Sequence, residues 1–200
     1  TGYLLKKVIN IGGNKKEIAL PPWYQGWEHV LLDIDASAHP DIVCDARELS
    51  SLPGASYDSV YCSHNLEHYY RHDVKKVLAG FAHILKPDGF VYIVVPDIGE
   101  LMRIVSKNNL DIDDTLYQSA VGPISVLDVI YGYGVEIEKS GVDFFAHKTG
   151  FTQKSLMGAL AAGGFPVFYT STKNLEVHAL AFLTTPSREL KQLFGLPETP

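Results

Sequence analysis

Short apolar runs rich in β-branched residues alternate along this chain with segments whose apolar residues recur every three or four positions. That alternation points to a largely parallel sheet covered by helices. Val8 to Ile11, His29 to Ile34, Asp41 to Cys44, Ser59 to Cys62 and Phe90 to Val95 read as five buried strands, each bounded by Gly, Pro, Asp or Ser. Val167 to Ser171 and Val177 to Leu183, parted by a polar turn around Lys173 and Asn174, read as a closing antiparallel pair.

Three helices fit the other pattern. One from Asp73 to Leu85 carries Val74, Val77, Leu78, Phe81, Ala82 and Leu85 on one side, with Asp73 as its cap and Pro87 and Gly89 as its stop. A second, Ile98 to Val105, turns Ile98, Leu101, Met102 and Val105 to one face. The third starts at Thr152 as N-cap, points Leu156, Met157, Leu160 and Ala161 inward, and stops at Gly163 and Gly164. Between the first two strands, Asn14 to Gly26 holds two prolines and leaves room for a short helix at most. Residues 109–150 are irregular, with a short helix expected from Ser125 to Ile130, and a short helix and tail follow Pro186. The whole of 1–200 reads as one domain, with a lid or substrate segment inserted at about 109–150.

Charge and cysteine content narrow the function classes. Seventeen Lys and Arg against 23 Asp and Glu give a net charge of −6, and no basic block is present to track a phosphate backbone, so nucleic acid is not an expected partner. No apolar run is long enough for a bilayer, and no membrane partner is expected. Cys44 and Cys62 lie in apolar stretches outside any C-x-x-C pair and read as reduced core residues. With no leader-like start, the expected location is the cytoplasm. Self-association is not readable from the pattern.

The first strand ends in Val8-Ile-Asn-Ile-Gly-Gly13, which puts two glycines at the carboxyl edge of a central strand, where doubly wound sheets bind ligands. Asp33 follows Gly12 by 21 positions and ends the second strand, a spacing that suits a ribose-binding carboxylate. A tight strand exit and a helix-capping Asp would use the same residues. The third strand runs into Cys44-Asp45-Ala46, and Tyr57-Asp-Ser-Val-Tyr-Cys-Ser-His-Asn-Leu-Glu-His68 follows. Ile84-Leu-Lys-Pro-Asp-Gly89, the strand with Pro96-Asp97, and Gly150-Phe-Thr through Ala162-Gly-Gly-Phe165 complete the series.

In these segments the chain resembles the class I, Rossmann-like S-adenosylmethionine-dependent methyltransferases over almost its whole length. The resemblance implies an α/β fold of three layers: a doubly wound, mostly parallel seven-stranded sheet with an antiparallel last strand. Cys44 and Cys62 would then lie on strands that are not neighbours. It implies S-adenosylmethionine as cofactor, with Gly12 and Gly13 under the methionine portion and Asp33 on the ribose hydroxyls. Asp45 would face the adenine amino group, Ala46 the ring edge, and Ser63 with His64 the floor near the sulfonium. Asn10 and Ile34 complete the cofactor set. Methyl transfer by in-line displacement to a small-molecule acceptor, a glycan-like one included, is the implied activity. Where the family has a third glycine and a helix, Asn14-Lys15-Lys16 stands here, so the first loop is short and open.

Two histidines are candidates for a base that takes a proton from the acceptor. His64 follows the fourth strand, and His147 lies in Phe144-Phe-Ala-His-Lys-Thr-Gly-Phe151, where the insert rejoins. Lys148, Asp128 and the Tyr131 to Gly134 stretch are further pocket candidates. Two rival functions remain: a non-catalytic binding or scaffold protein on the same fold, and a zinc-dependent hydrolase using the H-x-x-E-H pattern of His64, Glu67 and His68. The hydrolase motif needs a helix that begins before its first histidine, whereas His64 directly follows a strand. No metal ligand is assigned on this reading, and Glu67 and His68 are expected to pack.

Overall fold

The computed structural model describes residues 4–198. Nine strands are present among them: β1 (Lys7–Ile11), β2 (Glu28–Asp33), β3 (Ile42–Val43), β4 (Tyr57–Ser63), β5 (Leu85–Pro96), β6 (Thr115–Ser119), β7 (Gly122–Ser125), β8 (Val167–Lys173) and β9 (Glu176–Phe182). Seven form one sheet in the order β3-β2-β1-β4-β5-β9-β8, and β6 with β7 forms a separate hairpin. Strands β1 to β5 are parallel, and β9 runs antiparallel to both of its neighbours. The chain steps outward from β1 to β3 and then returns to β4 beside β1, so the carboxyl ends of β1 and β4 flank the point where the order reverses. Open α/β sheets bind ligands in that crevice.

Strand alternation sorts the core into two chemically different halves. Ile9, Ile11, Val60, Cys62, Val91, Ile93 and Val95 face one way and pack with Val74, Val77, Leu78, Phe81 and Ile84 of helix α1 (Arg71–Ile84). The other face presents Val8, Phe90, Leu180 and Phe182 with Tyr61 and Tyr92. Trp23, Tyr24 and Trp27 from the Pro-rich β1–β2 connection cover it, and the buried Tyr24 hydroxyl reaches Ser59 Oγ at 2.8 Å. Only a single 3-10 turn, Pro22–Tyr24, forms in that connection, so aromatic rings replace the usual helix there.

The remaining helices are α2 (Ile98–Asn108), α3 (Val126–Tyr131), α4 (Gly134–Ser140), α5 (Gln153–Ala162) and α6 (Arg188–Phe194). Helix α5 starts on the expected Thr152, whose side chain exchanges hydrogen bonds with Ser155, and buries Leu156 and Leu160. Several expectations are corrected. Asp73 does not cap α1; Tyr70 holds the N-cap position without a side-chain hydrogen bond, and Asp73 lies in the first turn, where a carboxylate suits the positive helix end and meets Arg47 Nη1 at 3.5 Å. The helix stops at Ile84 because β5 begins at once. Met102, Met157 and Ala161 turn to solvent, since each helix buries a narrower stripe than its apolar composition suggested. The hairpin β6–β7 and helix α4 were not foreseen; α4 starts on Gly134, a poor helix former.

Both cysteines are free, with β2 and β1 between the strand before Cys44 and the one bearing Cys62. No helix among the described residues is long and apolar enough to cross a membrane.

Candidate active site

At the carboxyl edge of β1, β2 and β4 lies a cavity of about 570 Å³, within the range of small-molecule sites. Sheet register brings its walls together: Ile11 pairs with Leu32 and Asp33 with Val43, so the chain leaves three adjacent strands at one level. Asn10, Gly12, Gly13, Asp33, Ile34, Asp45, Ala46 and Ser63 all line the cavity, as does His64. His147 does not.

Gly12 adopts φ +67°, a left-handed conformation that glycine takes without strain. A Cβ on it would run into the Asn65 side chain, and one on Gly13 into Asn10. The glycines therefore admit two carboxamides to the cavity wall. Asn65 Oδ1 accepts from the Tyr69 hydroxyl at 3.0 Å, and the nearly buried Asn10 lies with its Nδ2 3.3 Å from His29 Nε2.

The two carboxylates of the expected cofactor set differ. Asp33 accepts from the backbone N–H of Asn14, in the loop after β1, at 3.1 Å and of Asp35, in its own loop, at 3.0 Å. Asp45 is gripped by Arg47, whose Nε and Nη2 donate to its oxygens at 2.7 to 3.1 Å. That guanidinium holds the Asp45 carboxyl below the usual carboxylate range, against the opposing effect of burial. Asp45 thus meets a further donor only by sharing with Arg47.

His64 closes the wall beyond β4 with φ +50°, an uncommon value outside glycine. Its Nε2 lies 2.8 Å from Glu176 Oε1, and the other oxygen of Glu176 lies 3.0 Å from His178 Nε2. His178 Nδ1 in turn meets the Tyr92 hydroxyl at 2.6 Å. Glu176 is pulled down to about 2, by His178 first and His64 second, so it is ionised and both imidazoles donate to it. His64 then carries a proton on Nε2, and its Nδ1 lies 3.9 Å from Oε1 of Glu67. Desolvation works to lower the His64 pKa, but the Glu176 hydrogen bond and the Glu67 and Glu176 charges outweigh it, and the net shift is upward.

Behind this wall sits a second polar group. Glu67 is 1% exposed, and neither of its oxygens has a hydrogen-bond partner among the described residues. Burial raises its pKa to about 7. His68, which also lines the cavity, is lowered to about 4 by desolvation and then by His147; His147 is itself lowered by desolvation. The peptidase pattern is not realised here: residues 66–68 form one 3-10 turn, and His64 turns to Glu176.

From the insert, Asp143, Phe144, Phe145 and Lys148 reach the cavity, and Lys148 Nζ lies 5.3 Å from the centre of the Tyr70 ring, which also lines it. Asp128 does not; it completes a capping box with Ser125 at the start of α3 and accepts from Gly134 N–H. Tyr131 and Gly132 are likewise outside the lining. Glu176 and Asn65 escaped the sequence reading. Glu176 had one signal, an acidic residue two positions before His178 on the same strand face.

A family model described as "Methyltransferase domain" matches residues 22–93. No curated protein sequence matches the chain. Among solved structures, a SAM-dependent methyltransferase from Archaeoglobus fulgidus aligns at TM-score 0.55 and 16% identity, covering 88% of this chain and 86% of that one. A Methanosarcina mazei SAM-dependent methyltransferase gives 0.55 and 16%, over 90% and 93%. The 1,6-didemethyltoxoflavin-N1-methyltransferase of Burkholderia thailandensis, solved with S-adenosylhomocysteine, gives 0.51 and 16%, over 88% and 71%. The matched segment, the seven-stranded sheet and the crevice at its switch point give this chain the Rossmann-like fold of these methyltransferase structures.

Proposed function

We propose that this enzyme methylates a small-molecule acceptor in the cavity between β1, β2, β4 and the insert. The observation that carries the reading is the convergence of Asp33, Gly12, Gly13 and Ala46 with His64 on one cavity. The donors and acceptors there fit the cofactor: Asp33 suits a ribose diol, Ile34 and Ala46 give apolar walls for a purine, and the Gly12 to Asn14 backbone suits the amino-acid end. When bound, S-adenosylmethionine supplies a methyl group on a cationic sulfur that a nucleophile takes by in-line displacement.

The residues of the chain position the partners and handle one proton. Alignment supplies most of the acceleration in such a transfer. His64 lines the cavity with Nε2 tied to Glu176 and Nδ1 3.9 Å from the Glu67 carboxyl, and its imidazole is the base for an acceptor hydroxyl. Tyr70, Phe144 and Phe145 offer ring surfaces for a flat or glycan-like acceptor, and Lys148 a positive charge. Free cysteines accord with a cytoplasmic setting.

The test is methyl transfer from labelled S-adenosylmethionine to a panel of hydroxylated small molecules, with His64→Ala beside the wild type. Turnover that falls about a hundredfold in the variant, with cofactor affinity retained, supports the reading. Equal turnover in both removes His64 from the mechanism.

A further inference from the structure

Outside the proposed transfer chemistry, Glu67 stands in an unusual setting. Its carboxyl, 1% exposed and with no hydrogen-bond partner among the described residues, has Oε1 3.8 Å from His68 Nε2 and 3.9 Å from His147 Nε2, with His64 Nδ1, a ring already tied to Glu176, also at 3.9 Å. Each ring is oriented by its other nitrogen. His68 Nδ1 is 3.1 Å from the Ala146 carbonyl and His147 Nδ1 is 3.0 Å from the Val129 carbonyl, acceptors that fix the proton on Nδ1. Both Nε2 lone pairs are therefore bare and turned toward Glu67. An Nδ1–H held by a backbone carbonyl is the usual outer support of a metal-binding histidine.

The spacing fits an ion. One ligand atom from each of the three residues lies within 4.8 Å of the others. A point equidistant from all three is then between about 2.1 and 2.5 Å from each, against roughly 2.0 to 2.2 Å for zinc bonds to nitrogen and oxygen. Small side-chain rotations close the gap. The backbone already fixes the frame, with Lys148 N–H donating to the Glu67 carbonyl at 2.8 Å and His147 N–H to Tyr131 at 3.0 Å.

We propose that Glu67, His68 and His147 bind one zinc-class divalent cation, which clasps the turn after β4 to the segment where the insert rejoins the sheet. This ligand set differs from the peptidase pattern, in which His64 and His68 would bind and Glu67 would act as base; here Glu67 is itself a ligand. Two imidazoles and a carboxylate favour zinc over magnesium or calcium, which prefer all-oxygen sites. The inference does not depend on cofactor binding.

The full chain, stripped with a chelator and shown to be folded by circular dichroism, is titrated with zinc chloride by calorimetry. Cobalt(II) chloride, followed by visible absorption, reads the ligand field. Expected is about one equivalent of zinc with Kd near 1 µM or tighter, and a cobalt band lost in Glu67→Gln. Glu67→Gln and His147→Ala each weaken zinc binding at least about tenfold, while the exposed His39→Ala leaves it unchanged. If His147→Ala does not fold, the near-isosteric Glu67→Gln decides. Absence of stoichiometric binding to the wild type, or equal affinity in Glu67→Gln, overturns the site.

Discussion

His64 Nε2 lies 2.8 Å from Oε1 of Glu176, a residue 112 positions away in the chain. The contact joins the turn after β4 to the first residue of β9, and β5 lies between these strands. Because Glu176 also receives His178, its charge is held by two donors and the His64 tautomer is fixed.

That relationship predicts the behaviour of Glu176→Gln. The amide removes the charge that orients and supports His64, so kcat should fall about ten- to a hundredfold while KM for S-adenosylmethionine stays within about twofold. Steady-state kinetics with a turned-over acceptor reads the split. A rise in KM with unchanged kcat would assign Glu176 to binding instead.

Asp33 and Asp45 should respond unequally. Asp33→Asn removes a carboxylate whose protein partners are two backbone N–H groups, and cofactor affinity should drop at least about tenfold, or about 1.4 kcal/mol. Asp45→Asn, already occupied by Arg47, should cost less. Calorimetric titration of both variants checks the ranking.

Gly12→Ala forces a Cβ into a φ of +67° and onto the Asn65 carboxamide. The left-handed backbone alone costs about 1 to 2 kcal/mol. Urea unfolding should show at least that loss, with weakened cofactor binding as Asn65 is displaced.

Acid should weaken the fold through Asp45 and Asp41. The Asp45 pKa is lowered by Arg47, and the Asp41 pKa by the Leu31 N–H and then Lys16. A folded pKa below the unfolded one means the contribution is complete above about pH 4. It is lost as pH falls through the lowered folded values. Urea midpoints between pH 7 and pH 2.5 should fall only at the acid end, and less steeply in Asp45→Asn.

Core and surface helical positions should separate cleanly. Phe81→Ala, at a fully buried site, should cost about 3 to 5 kcal/mol. Met102→Ala, more than half exposed, should stay within about 0.5 kcal/mol. Chemical denaturation distinguishes the two.

Much of this was legible in the sequence for a physical reason. The central parallel strands β1, β4 and β5 announced themselves because strands buried on both faces read as unbroken apolar runs, the edge strands by their β-branched residues between turn signals, and the cavity glycines and carboxylates sit at strand ends, where such runs stop. Thr152 was readable because a capping box is local. Met102 misled because helical periodicity gives the apolar stripe without its width. Glu176 and the Glu67 group were hidden for a different reason: their partners lie across the sheet order or at the far end of the insert, and no local pattern encodes that closeness. Asp45 lines the cavity at a strand end that spacing marks, but its grip by Arg47 is a matter of rotamers, which spacing does not carry.

The central claim is that the cavity bounded by Gly12, Asp33 and Ala46 holds the cofactor. Calorimetric titration of folded, ligand-free protein with S-adenosylmethionine, and separately with S-adenosylhomocysteine, tests it most directly. Saturable binding of one molecule at micromolar levels, about −8 kcal/mol, weakened by Asp33→Asn, is the predicted result. No binding of either compound up to millimolar concentration, or binding that Asp33→Asn leaves untouched, would contradict it.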